Sequence, residues 1–405
     1  MKNKTFFGMM FVFFLLITLS ACNKGPSSSS DKLSSSISME YITGVKAISS
    51  GDSHTVALKN DGTVFAWGVN SYGQLGDGTY TNRNTPVPVR APEMTIVTTP
   101  VRGLTGIIAI SARGYRTVAL RNDGTVWAWG YNVGGELGDG TYTNRNTPVQ
   151  VRDLTDVKAI SAGELHTVAL KNDGTVWAWG KNYYGQFGDG TTTNRETPVQ
   201  ISGLSDFRTI SAGAFNTVAI KNDGTVWAWG LNSSGQLGDG TTMDSNIPVQ
   251  VNDLTDVIAI SAGFVSHAVA LKSDGTVWVW GSNSYGQLGD GTTMDRNTPV
   301  QVSGLTGVKE ISAGDSHTVA IKNDGTVWAW GRNNYFQLGD GTDINRTAPV
   351  PIFGFPVGGK EISAGGWHTV ALRNDGTVWA WGLNFSGQLG DGTTMNSHTP
   401  IQVKW

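Results

Sequence analysis

Cysteine is nearly absent. The chain of 405 residues carries one, Cys22, which excludes an intrachain disulfide and any cysteine-cluster metal site. Charge is scarce as well. Asp, Glu, Lys and Arg make up 15% of the residues, against roughly 25% in an ordinary soluble domain. The net charge of −3 offers nucleic acid no broad basic footprint. What the chain has in excess is glycine, 54 residues, and tryptophan, 15. With hydrophobic residues at 39%, that composition excludes a disordered chain and a coiled coil. It fits many short strands joined by tight turns.

Residues 1–21 combine a short positive stretch, Met1-Lys2-Asn3-Lys4, with an apolar run from Phe6 to Leu19. The run is too short to span a membrane and reads as a lipoprotein signal peptide. It ends in Leu19-Ser20-Ala21-Cys22, which resembles the bacterial lipobox, where the cysteine thiol is acylated and becomes the new N-terminus. Loss of Lys2 and Lys4 with that segment takes the net charge from −3 to −5. Residues 22–40 follow as a Ser-rich flexible tether. The expectation is an extracytoplasmic protein, held on a bacterial membrane or cell surface by a lipid on Cys22.

From Tyr41 onward the sequence repeats itself. Asp-Gly-Thr starts at Asp61, Asp123, Asp173, Asp223, Asp274, Asp324 and Asp375, at spacings of 62, 50, 50, 51, 50 and 51. A period of that size signals a repeat architecture. Each unit holds four β-prone runs, in the third copy Val157–Ser161, Thr167–Lys171, Thr175–Trp179 and Pro198–Ile201. Asn172-Asp173-Gly174 marks a tight hairpin. Trp177 and Trp179 share one sheet face and Val176 and Ala178 the other, so both faces must be covered. Four-stranded sheets buried on both sides and repeated seven times describe an all-β, seven-bladed β-propeller over residues 41–405. A straight solenoid would need polar caps, which neither end copy supplies. The first and last units are predicted to be neighbours, with the possibility of one blade sewn from both termini left open.

The runs Thr167-Val168-Ala169-Leu170, Gly174-Thr175-Val176-Trp177-Ala178-Trp179-Gly180 and Gly185-Gln186-Phe187-Gly188-Asp189-Gly190 resemble the regulator of chromosome condensation repeat family, over nearly all of residues 41–405. WD repeats fit less well, because Trp is followed here by Gly. The paired glycines of kelch repeats are missing, and the sialidase Asp-box needs Asp and Gly one residue apart. The resemblance implies a seven-bladed ring. It also brings the founding member's guanine-nucleotide exchange on chromatin through an inserted wedge. The one large insertion, roughly Ala91–Arg102, is short and rich in Pro and Thr, and no basic tail is present, so that activity is not carried over. Secreted bacterial relatives include a β-lactamase-inhibiting propeller that binds through aromatic loops on one face, which suggests a mode and not a target.

His54, His166, His267, His317 and His368 occupy one repeat position, with Arg116 and Asn216 in the other two copies. One histidine per blade around a ring argues against a metal or catalytic centre and for a polar group bonding the neighbouring backbone. His398 is off the pattern and is placed on the surface. The Asp-Gly-Thr and Gly-Asp-Gly carboxylates read as turn chemistry. Thirteen tryptophans sit in the hairpin repeat and are expected to be inter-blade core.

The positions that the repeat leaves free carry the functional signal, because equivalent propeller loops emerge on one face. The expected binding face comprises Tyr72, Tyr115, Tyr131, Tyr183, Tyr184, Phe215, Phe264, Tyr285, Tyr335, Trp367 and Phe385, loop aromatics that blade packing does not specify. Such residues anchor protein interfaces and stack on sugars. The reading is a non-catalytic, monomeric binding module for a protein partner, without catalytic residues, cofactor, metal or nucleic acid. The alternative is a cell-wall or glycan binder; exchange activity and a propeller hydrolase or lyase rank lower.

Overall fold

The computed structural model describes residues 41–91, 104–201, 205–264 and 267–405. Cys22, the expected signal peptide and the tether lie outside them, as does the insertion after Ala91. The described residues form twenty-eight strands in seven four-stranded antiparallel sheets, each built from four consecutive strands. In the first blade these are β1 (Val45–Ser50), β2 (His54–Lys59), β3 (Val64–Gly68) and β4 (Arg83–Pro88), in that order across the sheet. The first strands of successive blades adjoin one another and surround the axis, so the sequence-predicted propeller ring is the fold.

Local chemistry explains the blade. In the third, Asp173 Oδ1 accepts hydrogen bonds from the backbone N–H and hydroxyl of Thr175, and Gly174 takes φ +82. An L-residue rarely adopts that angle, which is why glycine closes the hairpin. The outermost strand is Arg195–Gln200, longer at its start than the apolar run Pro198–Ile201 suggested. Its side chains are half-buried or exposed, so an edge strand of this kind lacks the apolar signal at its polar end.

The core lies between blades. Val168, Leu170, Val176 and Phe187 of the third blade pack against Phe207, Ala219 and Trp229 of the fourth. Here the structure corrects the tryptophan reading. The second member of each pair, such as Trp179, is fully buried, but the first, such as Trp177, is only half-buried. Trp177 sits near the hairpin end of its strand, its Nε1 donating to Thr175 Oγ1 at 3.1 Å and Lys171 Nζ 5.4 Å from the ring centre. Seven tryptophans are fully buried in the inter-blade core; the other six are half-buried and pack against it nearer the hairpin end.

A belt of serines laces the first strands together. Ala112 N donates to Ser49 Oγ at 2.8 Å, Ala162 N to Ser111 Oγ, Ala212 N to Ser161 Oγ, Ala262 N to Ser211 Oγ, Ala313 N to Ser261 Oγ and Ala364 N to Ser312 Oγ. Ser50 N donates to Ser363 Oγ at 2.9 Å and completes the circle. The seventh blade, Gly359–Gln402, is whole in itself; beside it, among the described residues, Tyr41 bridges Lys404, Ile42 N donates to Val403 O, and Trp405 packs edge-on against Phe65 of the first blade.

Candidate functional site: the mouth of the ring

Antiparallel sheets of consecutive strands place every first-to-second and third-to-fourth loop at one end of the ring, and every Asp-Gly-Thr hairpin at the other. The predicted aromatics occupy the first kind of loop and so share a face. They pack across blade boundaries: the aromatic after Trp-Gly in one blade meets the aromatic after Ala-Gly (Ala112-Arg113 in the second blade) in the next. The Tyr72 ring lies 5.2 Å from Tyr115 and 5.1 Å from Tyr131. Tyr184 lies 5.3 Å from Phe215, and Tyr335 6.3 Å from Trp367. Arg332 covers Tyr285 at 4.7 Å. Tyr183 and Phe385 stand out into solvent, 59% and 68% exposed. Phe264 departs from the expectation. It is buried, its ring 4.0 Å from the Arg113 guanidinium, so it belongs to the wall of the mouth and not to an open surface.

The histidines lie just inside, and they bond a side chain where backbone was expected. His166 Nε2 meets Thr217 Oγ1 of the next blade at 2.9 Å. Thr217 itself donates to Gln186 O, so the ring nitrogen facing it carries the proton. Burial pushes the His166 pKa down to about 3, with Arg116 and Arg113 adding to the effect. Where Asn216 replaces histidine, the next blade has Ala268 in place of threonine. Where Arg116 replaces it, the guanidinium donates to the carbonyls of Glu164, Gly163 and His166. His398 is exposed and stacks on Phe336 at 3.5 Å.

Arg113 went unnoticed in the sequence, although it alone breaks the glycine position held by Gly51, Gly163, Gly213, Gly263, Gly314 and Gly365. Its Nη1 donates to Ala212 O at 2.5 Å and Ala262 O at 2.6 Å. It thus reaches from the second blade to the fourth and fifth, above an axial cavity of about 100 Å³ lined by Ser49, Ser111, Ser161 and Ser261. Burial lowers its pKa to about 10. Around it lie Asp52, Glu164 and Asp315, whose carboxyls burial drives above the usual carboxylate range. Among the described residues no three His, Cys, Asp or Glu side chains are arranged to hold a metal ion.

Comparison with known proteins accords with this geometry. The family described as RCC1-like domain matches residues 21–266, and the Regulator of chromosome condensation (RCC1) repeat matches residues 274–321, 324–372 and 375–405. Curated relatives include the human E3 ubiquitin-protein ligase HERC2, 31% identical over 143 residues, which are 34% of this chain and 3% of that protein. The Ultraviolet-B receptor UVR8 of Arabidopsis thaliana is 35% identical over 107 residues, 26% of this chain and 22% of the receptor. The chain thus spans a small part of these relatives. Solved structures share the fold: human WBSCR16, TM-score 0.74 at 22% identity, covers 85% of this chain and 95% of its own. Yeast RCC1 (Prp20), solved with Kap60 bound, gives 0.73 at 21%, with 96% and 91% covered.

Proposed function

The chain belongs to the RCC1-like domain family, and on that premise we propose that it is a non-catalytic binding module that takes a protein partner on its aromatic-loop face. The observation that carries this reading is the pairing of aromatics across blade boundaries on one face. Tyr72 with Tyr115, Tyr184 with Phe215 and Tyr335 with Trp367 form half-exposed steps around the mouth, outside the blade cores. Rigid aromatic platforms of this kind supply contact area at little entropic cost. That yeast RCC1 has been crystallised with Kap60 makes a protein ligand a reasonable analogy, though likeness at 21% identity speaks to fold alone. We further propose that the module works outside the cytoplasm, tethered through a lipid on Cys22; the lipobox-like Leu19-Ser20-Ala21-Cys22 supports this.

The test is capture by the full-length protein from secreted proteins and from cell-wall material, followed by affinity measurements with Trp367→Ala and Tyr115→Ala. Loss of about 2 kcal/mol or more, with unchanged thermal unfolding, is the expected result. Normal affinity in both variants, with loss on changing charges of the hairpin face, would assign binding to the wrong end of the ring. Mass spectrometry of the mature N-terminus checks the anchor; a free thiol at Cys22 would remove it.

A further inference from the structure

At the end of the ring opposite the mouth, one sector is unlike the rest. The linker from the sixth blade to the seventh turns Phe355 inward, its ring centre 6.2 Å from those of Trp379 and Trp381. Phe353 and Val357, two residues to either side, are left 70% and 66% exposed. At the Phe353 position other linkers carry Arg152, Asn252 and Ser303, so packing does not call for an apolar side chain there. At the next blade boundary Trp405 leans edge-on against Phe65, ring centres 4.7 Å apart, with Lys59 Nζ 5.1 Å from the Trp405 ring. Trp405 and Tyr41 are exposed as well. Large apolar side chains thus stand in solvent at two neighbouring boundaries of one end, more than scattered single residues would leave.

Charge marks out the same sector. The linkers entering the third, fourth and fifth blades carry Asp153, Asp156, Asp206, Asp253 and Asp256. Those entering the sixth, seventh and first carry no acid among the described residues. The first strands behind these acid-free linkers open with Lys309, Lys360 and Lys46, and Lys404 is paired with Tyr41. Lys360 Nζ donates to Lys46 O at 3.2 Å and Lys46 Nζ to Ile107 O at 3.4 Å, both backbone carbonyls. None of the four lysines forms an ion pair among the described residues. The hairpin aspartates Asp61, Asp324 and Asp375 each have a cation two residues earlier, Lys59, Lys322 and Arg373. The remaining acids, Glu310 and Glu361, have pKa values raised to about 7, chiefly by burial, so near neutral pH they offset only part of the lysine charge.

We infer that this sector, Phe353, Val357 and Trp405 with Lys46, Lys309 and Lys360, is a docking surface for an anionic phospholipid bilayer. The inference rests on the reading of a membrane-tethered module and adds which face lies on the lipid. Tyr41, through which the chain bearing Cys22 joins the ring, sits in the same sector, nineteen residues after that cysteine. Exposed apolar tips insert shallowly among headgroups, Trp and Tyr rings favour that depth, and lysine stems reach past them to the phosphates. Charge complementarity selects acidic headgroups over zwitterionic ones. The mouth, at the far end, stays free for a partner.

The experiment places the full-length protein, processed as the cell leaves it, on vesicles of phosphatidylcholine alone and of phosphatidylcholine mixed with phosphatidylglycerol. Backbone hydrogen exchange is followed by mass spectrometry. On the anionic vesicles exchange should slow about tenfold or more at residues 352–358 and 403–405, with little change on the neutral ones. The loops bearing Tyr115, Tyr184 and Trp367 should exchange as they do in detergent. Phe353→Ser with Val357→Ser should remove the protection without lowering the melting temperature. Lys309→Gln with Lys360→Gln, which keeps the apolar residues, should remove the effect of phosphatidylglycerol and gives a second check. Equal exchange on the two kinds of vesicle, or protection that survives the Phe353 and Val357 changes, overturns the inference. So does protection of residues 352–358 without lipid, by raised protein concentration or by a captured protein, which would assign the sector to self-association or to a protein interface. An acylated Cys22 with no protection overturns this inference and leaves the tether; protection with a free thiol at Cys22 removes the tether and leaves the face.

Discussion

Between the third and fourth blades, Trp229 and Thr217 both donate to Gln186 O, and His166 donates to Thr217. Between the seventh and first blades, Trp67, Thr55, Gln388 and His368 make the same arrangement. Between the second and third, Trp179 and Thr167 still donate to the carbonyl of residue 136, but Glu136 stands for glutamine and Arg116 for histidine. The contact that survives every exchange uses a backbone carbonyl, which any residue supplies. The side chains that change are those nearest the mouth, and there the repeat gives way to Arg113, Arg116, Glu136 and Glu164 on two neighbouring blades. Ring closure and mouth chemistry are thus carried by different atoms of the same loops, so one can vary without opening the other.

Acid should strain this division most. Five buried histidines have their pKa values lowered from 6.5 to about 3, chiefly by burial. A depressed histidine contributes stability that is complete above pH 6.5 and is lost as pH falls toward 3, at most ~5 kcal/mol per residue. The raised carboxyls of the mouth act in the opposite direction, and the turn aspartates, whose pKa values are lowered by their threonine partners, lose stability only below their ordinary value of 3.8, so acid sensitivity in thermal unfolding between pH 6.5 and about pH 4.5 reports the blade boundaries. Installing the Asn216–Ala268 combination at another boundary, as His317→Asn with Thr369→Ala, should remove about a fifth of that sensitivity; no change would detach the histidines from it.

Truncation separates inner from outer tryptophans. Trp179→Ala should cost about 3–5 kcal/mol in urea unfolding, as for other buried Trp. Trp177→Ala, half-exposed, should cost about 1 kcal/mol; equal losses would mean the two layers are not distinct. A smaller effect distinguishes the far end of the first strands. Glu310 and Glu361 have pKa values raised to about 7, chiefly by burial. A raised carboxyl stabilises below its unfolded value of 4.5 and loses that contribution as pH climbs through 7. Glu310→Gln should therefore stabilise the ring by about 1–2 kcal/mol at pH 8 and hardly at all at pH 4. Least of all, Asp173→Asn should leave the urea unfolding midpoint nearly unchanged, because Asn also suits the turn.

The blades were legible because seven copies repeat the same apolar alternation, and a hairpin such as Asn172-Asp173-Gly174 declares its own geometry. The start of the outer strand at Arg195 was not, since polar edge residues carry no burial pattern. For the mouth, sequence placed Tyr115, Tyr184 and Trp367 in loops of one face, where the structure has them, but it could not pair Tyr72 with Tyr115, which lie on different blades. Phe264 looked like its fellows because burial over Arg113 depends on a side chain reaching from three blades away. Arg113 itself was readable as the one break in a glycine column, but a break says nothing of where a long side chain goes. The buried carboxylates were hidden more deeply: a net charge sums over the chain and is silent about which oxygens find no donor.

The Tyr41–Lys404 bridge lies among the hairpins, at the end of the ring away from the mouth. Everything upstream is joined through Tyr41, so a pull on the N-terminus is delivered to the hairpin face. Such a load meets the first strand edge-on, where the Ser363 and Glu361 side chains clasp Ser50 and Ile48 of the first blade. A molecule held by that end points its mouth away from whatever holds it.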